Sequence, residues 1–213
     1  MGPLAPAPTR LLLVRHGQST WNGEGRWQGW ADPPLSPLGE RQAVEAARRL
    51  AGLLSSFGLR HGFDGVVASD LVRARRTAEV LSDGLGLGPV AVDPGLRERD
   101  VGDWSGLTRA EIAARWPDEL AFWLAGRLPV IPGGEPEDLF SDRALTAVRR
   151  LATEGRDLLV VTHGGLLRAL DRSLGARVAP VPNLAGRWYE QGADGCLRPA
   201  TQAVLGTLRA AIR

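Results

Sequence analysis

Two histidines, each placed just after an apolar run of strand length, are the residues of this chain best suited to chemistry. His16 comes soon after Leu11–Val14, and His163 comes directly after Leu158–Thr162. A buried strand that stops near a glycine delivers its last side chains to the carboxyl edge of an α/β sheet, where ligands bind. We therefore expect the two imidazoles to share one crevice.

Cationic and hydrogen-bonding residues accompany the first histidine and recur after another strand. Arg15 precedes His16, and the loop that follows carries Ser19 and Asn22. A nucleophilic imidazole, a guanidinium fork and neutral donors together suit a phosphoryl group. Arg73 lies in the first turn of a helix that follows a second strand, where its charge and the helix dipole both favour an anion. The pattern predicts phosphoryl chemistry.

A carboxyl group for proton transfer is expected in the charged stretch Leu96–Asp100. A bound phosphate dianion favours the protonated form of a neighbouring carboxyl group, which can then donate a proton near neutrality. Glu98 is the candidate acid.

A third histidine offers an internal comparison. Arg60-His61-Gly62 repeats the tripeptide Arg15-His16-Gly17. This copy follows a predicted helix and precedes a predicted strand, so it is expected at the opposite edge of the sheet. We interpret His61 as structural.

Alternating strand and helix signals predict an α/β fold, with a mostly parallel sheet covered by helices on both faces. The predicted strands are Leu11–Val14, Gly65–Ser69, Pro89–Val92 and Leu158–Thr162, with Arg187–Glu190 as an edge strand. Two helices are predicted from their ends: one that Ser36 caps, with Pro37 in its first turn, and one that begins at the capping box of Thr108 and that Pro117 closes. The other predicted helices are Leu71–Leu81, one over Leu139–Leu151, Leu166–Leu174 and Gln202–Ile212.

The composition limits the class and location of the protein. Its 213 residues, 44% of them hydrophobic, suffice for one domain over residues 1–213, with residues 1–9 as a flexible N-terminus. The net charge of +2 comes from charges of mixed sign, so we expect no nucleic-acid partner. Cys196 is the only cysteine, which excludes an internal disulfide and favours a cytoplasmic location. No apolar run approaches bilayer length, so no membrane partner is expected, and a homodimer is left open.

Taken together and in their order along the chain, the motifs resemble the histidine phosphatase superfamily in its phosphoglycerate mutase-like branch, branch 1. The resemblance runs from about Leu11 to Leu174. The segments that carry it are Arg15–Asn22, Gln28–Asp32, Leu35–Gly39, Ser69–Ala74, Leu96–Glu98, Gly133–Glu135 and His163–Gly165.

The resemblance implies a three-layer α/β/α sandwich and a His16 nucleophile that becomes phosphohistidine. It also implies Glu98 as the proton donor, beside the substrate, and His163 as a protonated group that shares the phosphoryl charge with the arginines. No metal and no organic cofactor are implied. The further residues implied to contact the phosphate or the rest of the substrate are Arg15, Gly17, Ser19, Asn22, Gln28, Gly29, Arg73 and Gly164.

Hydrolysis of a small-molecule phosphomonoester is the activity that the sequence favours. True mutases resemble this chain in the core but carry an adjacent arginine pair that grips the substrate carboxylate. Between Gly106 and Gly133 this chain offers only Arg109, Arg115 and Arg127, with an apolar segment between the last two. A cofactor-dependent phosphoglycerate mutase is therefore the alternative enzyme.

A non-catalytic, regulatory member of the fold is a further alternative, which the intact set of His16, Arg73, Glu98 and His163 argues against. Arg76 is expected either at the surface or as an extension of the pocket. The tryptophans expected either at the entrance of the site or in the core are Trp27, Trp30, Trp104 and Trp123.

Overall fold

A six-stranded sheet forms the centre of the fold in a computed structural model, which describes residues 9–54, 59, 62–153 and 155–200. Its strands are β1 (Thr9–Arg15), β2 (Gly65–Ala68), β3 (Ala91–Val92), β4 (Leu158–Thr162), β5 (Gly186–Gln191) and β6 (Leu197–Pro199). The strand order is β3-β2-β4-β1-β5-β6. The first four strands of this order are parallel, whereas β5 and β6 are antiparallel to their neighbours. The prediction of a mostly parallel sheet is confirmed.

Seven helices lie around this sheet in the described part of the chain. They are α1 (Thr20–Glu24), α2 (Pro37–Leu53), α3 (Val72–Leu85), α4 (Arg109–Arg115), α5 (Pro117–Leu124), α6 (Glu137–Ala152) and α7 (Gly164–Ser173). Successive residues of a strand point to opposite faces, and β1 shows this clearly. Leu11 and Leu13 pack with α6 and α7, whereas Leu12 and Val14 pack with α2 and α3. The three-layer α/β/α fold is thereby confirmed.

A third, smaller core lies outside the two that flank the sheet. Two 3₁₀ turns, Pro94–Leu96 and Gly102–Trp104, lead from β3 toward it. Its buried residues are Val101, Trp104, Ile112, Leu120 and Ile131, with Trp27, Leu107, Trp116, Trp123 and Leu128 packed against them. We call this set the aromatic lobe.

Local sequence signals explain most helix ends. The Ser36 hydroxyl accepts a hydrogen bond from Gly39 N at 3.0 Å, so Ser36 caps α2 as predicted. Thr108 forms the predicted capping box with Glu111 at the start of α4. Pro117 follows the end of α4, but it also begins α5, which was not predicted. Proline suits the first turn of a helix because the N–H that it lacks has no partner there.

Other predictions were wrong at the ends of the chain. The strand predicted over Arg187–Glu190 is not at the edge, because β6 pairs with its outer side. Thr9 belongs to β1 instead of a flexible terminus.

Residues 1–8, Arg60-His61 and the helix predicted over Gln202–Ile212 lie outside the described residues. Among the residues that are described, no helix has both the length and the apolar content to cross a membrane.

Close packing fixes the loop that follows β1 against the start of α2. A Cβ built on Gly39 would lie 2.0 Å from the carbonyl oxygen of Gln18, and a Cβ on Gly17 would lie 2.9 Å from the carbonyl oxygen of Gly39. Backbone atoms cannot move away from such close contacts without a large energetic cost. The two glycines therefore allow the backbone beside His16 to touch α2 directly.

We predict that Gly39→Ala destabilises the protein, since the methyl group would force the Gln18 backbone away from α2. A core overpacking cost of about 1–3 kcal/mol lowers the melting temperature of a protein of this size by roughly 2–12 °C. The matched control is Gly52→Ala on the same helix, where an added Cβ meets nothing within 4 Å. That change should leave the melting temperature equal or slightly higher, because alanine is the better helix former. Equal melting temperatures for Gly39→Ala and wild type would contradict the packing argument.

Candidate active site

Two adjacent parallel strands bring the predicted histidines together. His16 follows β1 and His163 follows β4, and Arg15 lies opposite Thr162 in the register of these strands. The two imidazole rings meet edge to face, with centroids 5.1 Å apart. Both side chains are buried, His163 completely.

A cavity of about 620 Å³ opens in front of His16. It is lined by many of the residues predicted from the sequence, and these are Arg15, His16, Asn22, Gln28, Gly29, Arg73 and Glu98. Arg15 ends β1, Asn22 lies in α1, Arg73 lies in the first turn of α3, and the others come from the loops after β1 and β3. All of these segments follow the carboxyl ends of parallel strands, which is why they meet at one edge.

The His16 imidazole is held in a single tautomer. Its Nδ1 lies 2.6 Å from the carbonyl oxygen of Gly17. A carbonyl oxygen only accepts, so Nδ1 carries the hydrogen and Nε2 carries the lone pair. Burial, together with the charges of Arg73 and Arg15, holds the pKa of His16 well below 6.5. The imidazole is therefore neutral at neutral pH, as a nucleophile must be.

His163 differs from what we expected. Burial, followed by the charges of Arg73, His16 and Arg15, holds its pKa well below 6.5 as well. Neither of its ring nitrogens has a hydrogen-bond partner within the described residues. The expected protonated His163 is thus neutral in this site, first because burial disfavours its charged form and second because two guanidinium groups lie nearby.

Two arginines are fixed by backbone carbonyl groups and keep one nitrogen each unpaired. Arg73 donates to the carbonyl oxygens of Ala31 and Gly29, both at 2.8 Å, and Arg15 donates to that of Val181 at 2.8 Å. The Nε atoms of both arginines are buried without a partner in the described part of the chain. Burial is the main cause that lowers the pKa of Arg73 to about 10. Both groups stay charged at neutral pH and retain donors for an anion.

Glu98 reaches the site from the turn after β3. Its Oε1 accepts from Arg99 N and its Oε2 from Gly165 N, both at 2.9 Å. A Cβ at position 165 would lie 2.0 Å from Glu98 Oε1, so only glycine admits the carboxyl group in this place. Each oxygen keeps a second lone pair, which leaves the carboxyl group able to exchange a proton with a ligand.

Three predicted contact residues support the site from behind and do not line the cavity. Gly17 N donates to Thr77 Oγ1 at 3.0 Å. The fully buried Ser19 caps α1 and donates to Gln28 Oε1 at 2.8 Å, so it holds a lining residue in place. Gly164 leaves room for the Arg15 side chain, which would lie 3.3 Å from an added Cβ.

The rest of the cavity wall combines apolar and charged residues. The apolar ones are Trp27, Val101, Trp123, Leu128, Ile131 and Phe140, and the charged ones are Arg26, Arg99, Glu137, Arg168 and Arg172. Of the remaining tryptophans, Trp104 is fully buried and Trp30 is exposed. The three arginines considered between Gly106 and Gly133 do not line the cavity. Arg76 pairs with Glu40 and Glu79 at the surface.

The comparisons with known proteins agree on one family. Residues 11–184 match the sequence profile of the histidine phosphatase superfamily, branch 1. The chain belongs to this family. It is 38% identical over 187 residues to a glucosyl-3-phosphoglycerate phosphatase of Mycolicibacterium vanbaalenii, covering 83% of this chain and 79% of the relative.

Two further similarities cover most of the chain. One is to a 2,3-bisphosphoglycerate-dependent phosphoglycerate mutase of Methylobacterium radiotolerans, 39% identical over 82% of this chain and 83% of the relative. The other is to the solved mycobacterial glucosyl-3-phosphoglycerate phosphatase in complex with VO₃, with a TM-score of 0.75 and 32% identity over 92% of this chain and 99% of that one. This histidine phosphatase therefore has both phosphatases and mutases among its relatives.

Sequence reasoning missed two residues that hold the histidine phosphatase site together. Asn183 Nδ2 donates to the His16 carbonyl oxygen at 3.0 Å and to Asn22 Oδ1 at 3.3 Å. It lies after Gly175, where no periodic pattern could be read. No group of three or more His, Cys, Asp or Glu side chains in the described residues is arranged to hold a metal ion.

Arg143 is the second missed residue. It donates to the carbonyl oxygens of Gly95, Arg97 and Glu98 at 3.0–3.2 Å, and its other edge binds the Glu135 carboxylate at 2.8–2.9 Å. The sequence alone indicates no role for the motif Gly133–Glu135. The contact between Glu135 and Arg143 indicates one. Through this arginine, the motif fixes the backbone that carries Glu98.

We predict that stability falls as the pH drops below the ordinary histidine value. In the unfolded chain His16 and His163 bind protons as the pH falls through about 6.5, whereas the folded protein resists protonation because both pKa values are lowered. Between pH 7.5 and 5.5 the free energy of unfolding should fall by roughly 1 kcal/mol for each histidine. Urea unfolding at the two pH values measures this, and His163→Gln should reduce the difference by about half. A wild-type stability that does not change over this interval would contradict the neutral state of both imidazoles.

Proposed function

We propose that this histidine phosphatase hydrolyses a small phosphomonoester through a phosphohistidine on His16. The observation that carries the proposal is the set of buried nitrogens around this imidazole, on Arg15, Arg73 and His163, that have no partner among the described residues. Buried donors require acceptors, and a phosphoryl group offers three oxygens. The VO₃ bound in the solved mycobacterial relative supports an oxyanion in such a site.

In the first step, the Nε2 lone pair of His16 attacks phosphorus as the bond from phosphorus to the ester oxygen breaks. The guanidinium groups of Arg15 and Arg73 and an N–H of His163 stabilise the charge on the equatorial oxygens. Protonated Glu98 gives its proton to the leaving oxygen, so the alcohol departs neutral.

In the second step, water attacks the phosphohistidine and the bond from Nε2 to phosphorus breaks. The Glu98 carboxylate takes a proton from this water, which restores both catalytic groups and releases inorganic phosphate. The cavity is open enough to admit a leaving group, so it does not exclude water from the phosphohistidine.

The aromatic residues of the cavity wall indicate a substrate class. Trp27 and Trp123 present aromatic surface to the cavity, which suits the faces of a sugar or another partly apolar body. The phosphatase relative named for glucosyl-3-phosphoglycerate makes a glycosylated phosphoglycerate a candidate here too. A phosphomonoester screen that includes this compound identifies the best substrate.

A phosphoglycerate mutase is the second candidate because of the relative that is 39% identical. A mutase holds its phosphoenzyme away from water while the product reorients, which requires a closed and strongly basic pocket. Six arginines line this cavity, but Arg109, Arg115 and Arg127 are not among them, and the span that carries these three contributes Trp123, Leu128 and Ile131 to the wall. We therefore favour hydrolysis.

We predict that the wild type, given monophosphoglycerate isomers with bisphosphoglycerate as primer, releases inorganic phosphate from a phosphomonoester faster than it interconverts the isomers. His16→Ala should abolish turnover, because no other group can accept the phosphoryl group. Acid-quenched wild-type protein should carry acid-labile, alkali-stable phosphate. Phosphate release by colorimetry and isomer ratios by NMR measure the two activities.

His61→Ala is the control, since its tripeptide repeats that of His16 at the opposite predicted edge of the sheet. It should keep most of the activity. Rapid, primer-dependent isomerisation with negligible phosphate release would restore the mutase, and full activity of His16→Ala would end the assignment of the nucleophile.

We also predict that Glu98→Gln acts mainly on esters with poor leaving groups. An alkyl phosphate needs a proton on its leaving oxygen, so its kcat/KM should fall roughly 10²–10⁴-fold. p-Nitrophenyl phosphate leaves as a stable phenolate and should lose much less. The ratio of kcat/KM values for the two substrates measures the effect, and equal losses would remove Glu98 from the role of acid.

A further inference from the structure

Trp30 lies neither in a core nor at the entrance of the site, the two places expected for it. Its side chain is 40% exposed and does not line the cavity. Its indole Nε1 donates to the backbone carbonyl oxygen of Glu98 at 2.8 Å. An exposed tryptophan is thus bonded directly to the segment that carries the candidate acid.

The other residues of the same loop bind the phosphate side of the site. Arg73 donates to the carbonyl oxygens of Gly29 and Ala31, both at 2.8 Å. Asp32 Oδ1 accepts from the first backbone N–H of α3 at 2.7 Å. We call Gly29–Asp32 the bridging loop, because it contacts the anion-binding arginine and the acid at once.

Two arginines hold the indole ring of Trp30 in place. The guanidinium carbon of Arg97 lies 5.0 Å from the ring centroid, and that of Arg143 lies 6.0 Å from it. A cation at this distance over an aromatic face is attracted to it. Arg97 is fixed in turn by the Asp70 carboxylate, which accepts from it at 2.8 and 2.5 Å. The orientation of the indole is therefore set although the ring is exposed.

Glu98 is held at its backbone as well as at its carboxyl group. Its carbonyl oxygen accepts from Trp30 Nε1 at 2.8 Å and from Arg143 Nη2 at 3.2 Å. A carbonyl oxygen has two lone pairs, so both bonds form together. Arg143 ties this carbonyl to α6, whereas Trp30 ties it to the loop that binds Arg73.

We propose that Trp30 is a positioning residue for proton transfer, which places the carboxyl group of Glu98 relative to the phosphoryl group bound at Arg73. This inference rests on the proposed phosphatase activity. An acid has to lie within hydrogen-bond reach of the leaving oxygen, and that oxygen is bonded to the phosphorus atom. A misplacement of about 1 Å slows a reaction by up to roughly 100-fold. The bridging loop joins the two groups whose separation matters.

The test compares two esters in two variants of the bridging loop. Phenyl phosphate and p-nitrophenyl phosphate differ only in the nitro group, which makes the second leaving group stable without a proton. Trp30→Phe removes the indole donor and keeps an aromatic face for Arg97. Asp32→Ala is the matched comparison, because it removes a bond between the same loop and α3 and leaves the bond to Glu98 in place.

We expect Trp30→Phe to lower kcat/KM for phenyl phosphate roughly threefold to tenfold, and that for p-nitrophenyl phosphate by less than about twofold. Only the first leaving group needs the proton. Asp32 lies 4.0 Å from the Arg73 guanidinium group, which serves the phosphoryl group of either ester. Asp32→Ala should therefore lower both values by a similar factor. Circular dichroism and melting temperature confirm that each variant is folded.

Two kinetic outcomes would overturn the inference. An unchanged ratio of the two kcat/KM values in Trp30→Phe shows that Trp30 does not act through the acid. A selective loss of phenyl phosphate hydrolysis in Asp32→Ala as well shows that any loosening of the loop has this effect.

The proposed function fails separately if the wild type releases no phosphate from either ester. The contact is then tested by NMR without turnover. The indole N–H signal of Trp30, assigned by its loss in Trp30→Phe, should exchange with solvent more slowly than that of free tryptophan, because it is bonded to Glu98. Exchange at the rate of free tryptophan would contradict the contact.

Discussion

The burial of two guanidinium groups beside two imidazoles is the constraint on which the rest of the site depends. Removing a charge from water costs several kcal/mol unless protein groups replace the water. Arg73 obtains two carbonyl oxygens from the loop at Gly29 and Ala31, and Arg15 obtains one from Val181. The loops that surround the site therefore have to lie where they do, since they solvate these charges.

The same constraint gives the site its reactivity. Both imidazoles are neutral mainly because they are buried, and also because the arginines oppose further positive charge, so His16 has a lone pair without a separate base. In the proposed reaction, the buried nitrogens that lack partners among the described residues serve as donors that need no rearrangement. An arrangement that is electrostatically costly for the folded protein is thus suited to a transition state that carries negative charge.

The sequence predicts those features that depend on a few neighbouring residues. The runs that become β1 and β4, the cap at Ser36 and the capping box at Thr108 are local, and all four are found in the structure. The roles of Arg143 and Asn183 depend on contacts between segments far apart in the chain, and no local pattern predicts them. β6 has only three residues and ends in proline, so its pairing with β5 arises from the sheet and not from a strand pattern.

Different cores support the chemistry and the recognition of the leaving group. His16, His163 and Arg73 follow strands that are packed between the two large cores, whereas Trp27 and Trp123 pack in the aromatic lobe. Backbone hydrogen bonds to the segment at Gly106 and Leu107 hold Trp27, which also lines the cavity, in the lobe. A substitution inside the lobe can therefore reshape the wall while the phosphate-binding edge stays intact. Under the proposed function, the wall can therefore change while the edge that carries His16 and His163 stays the same, because the two rest on different cores.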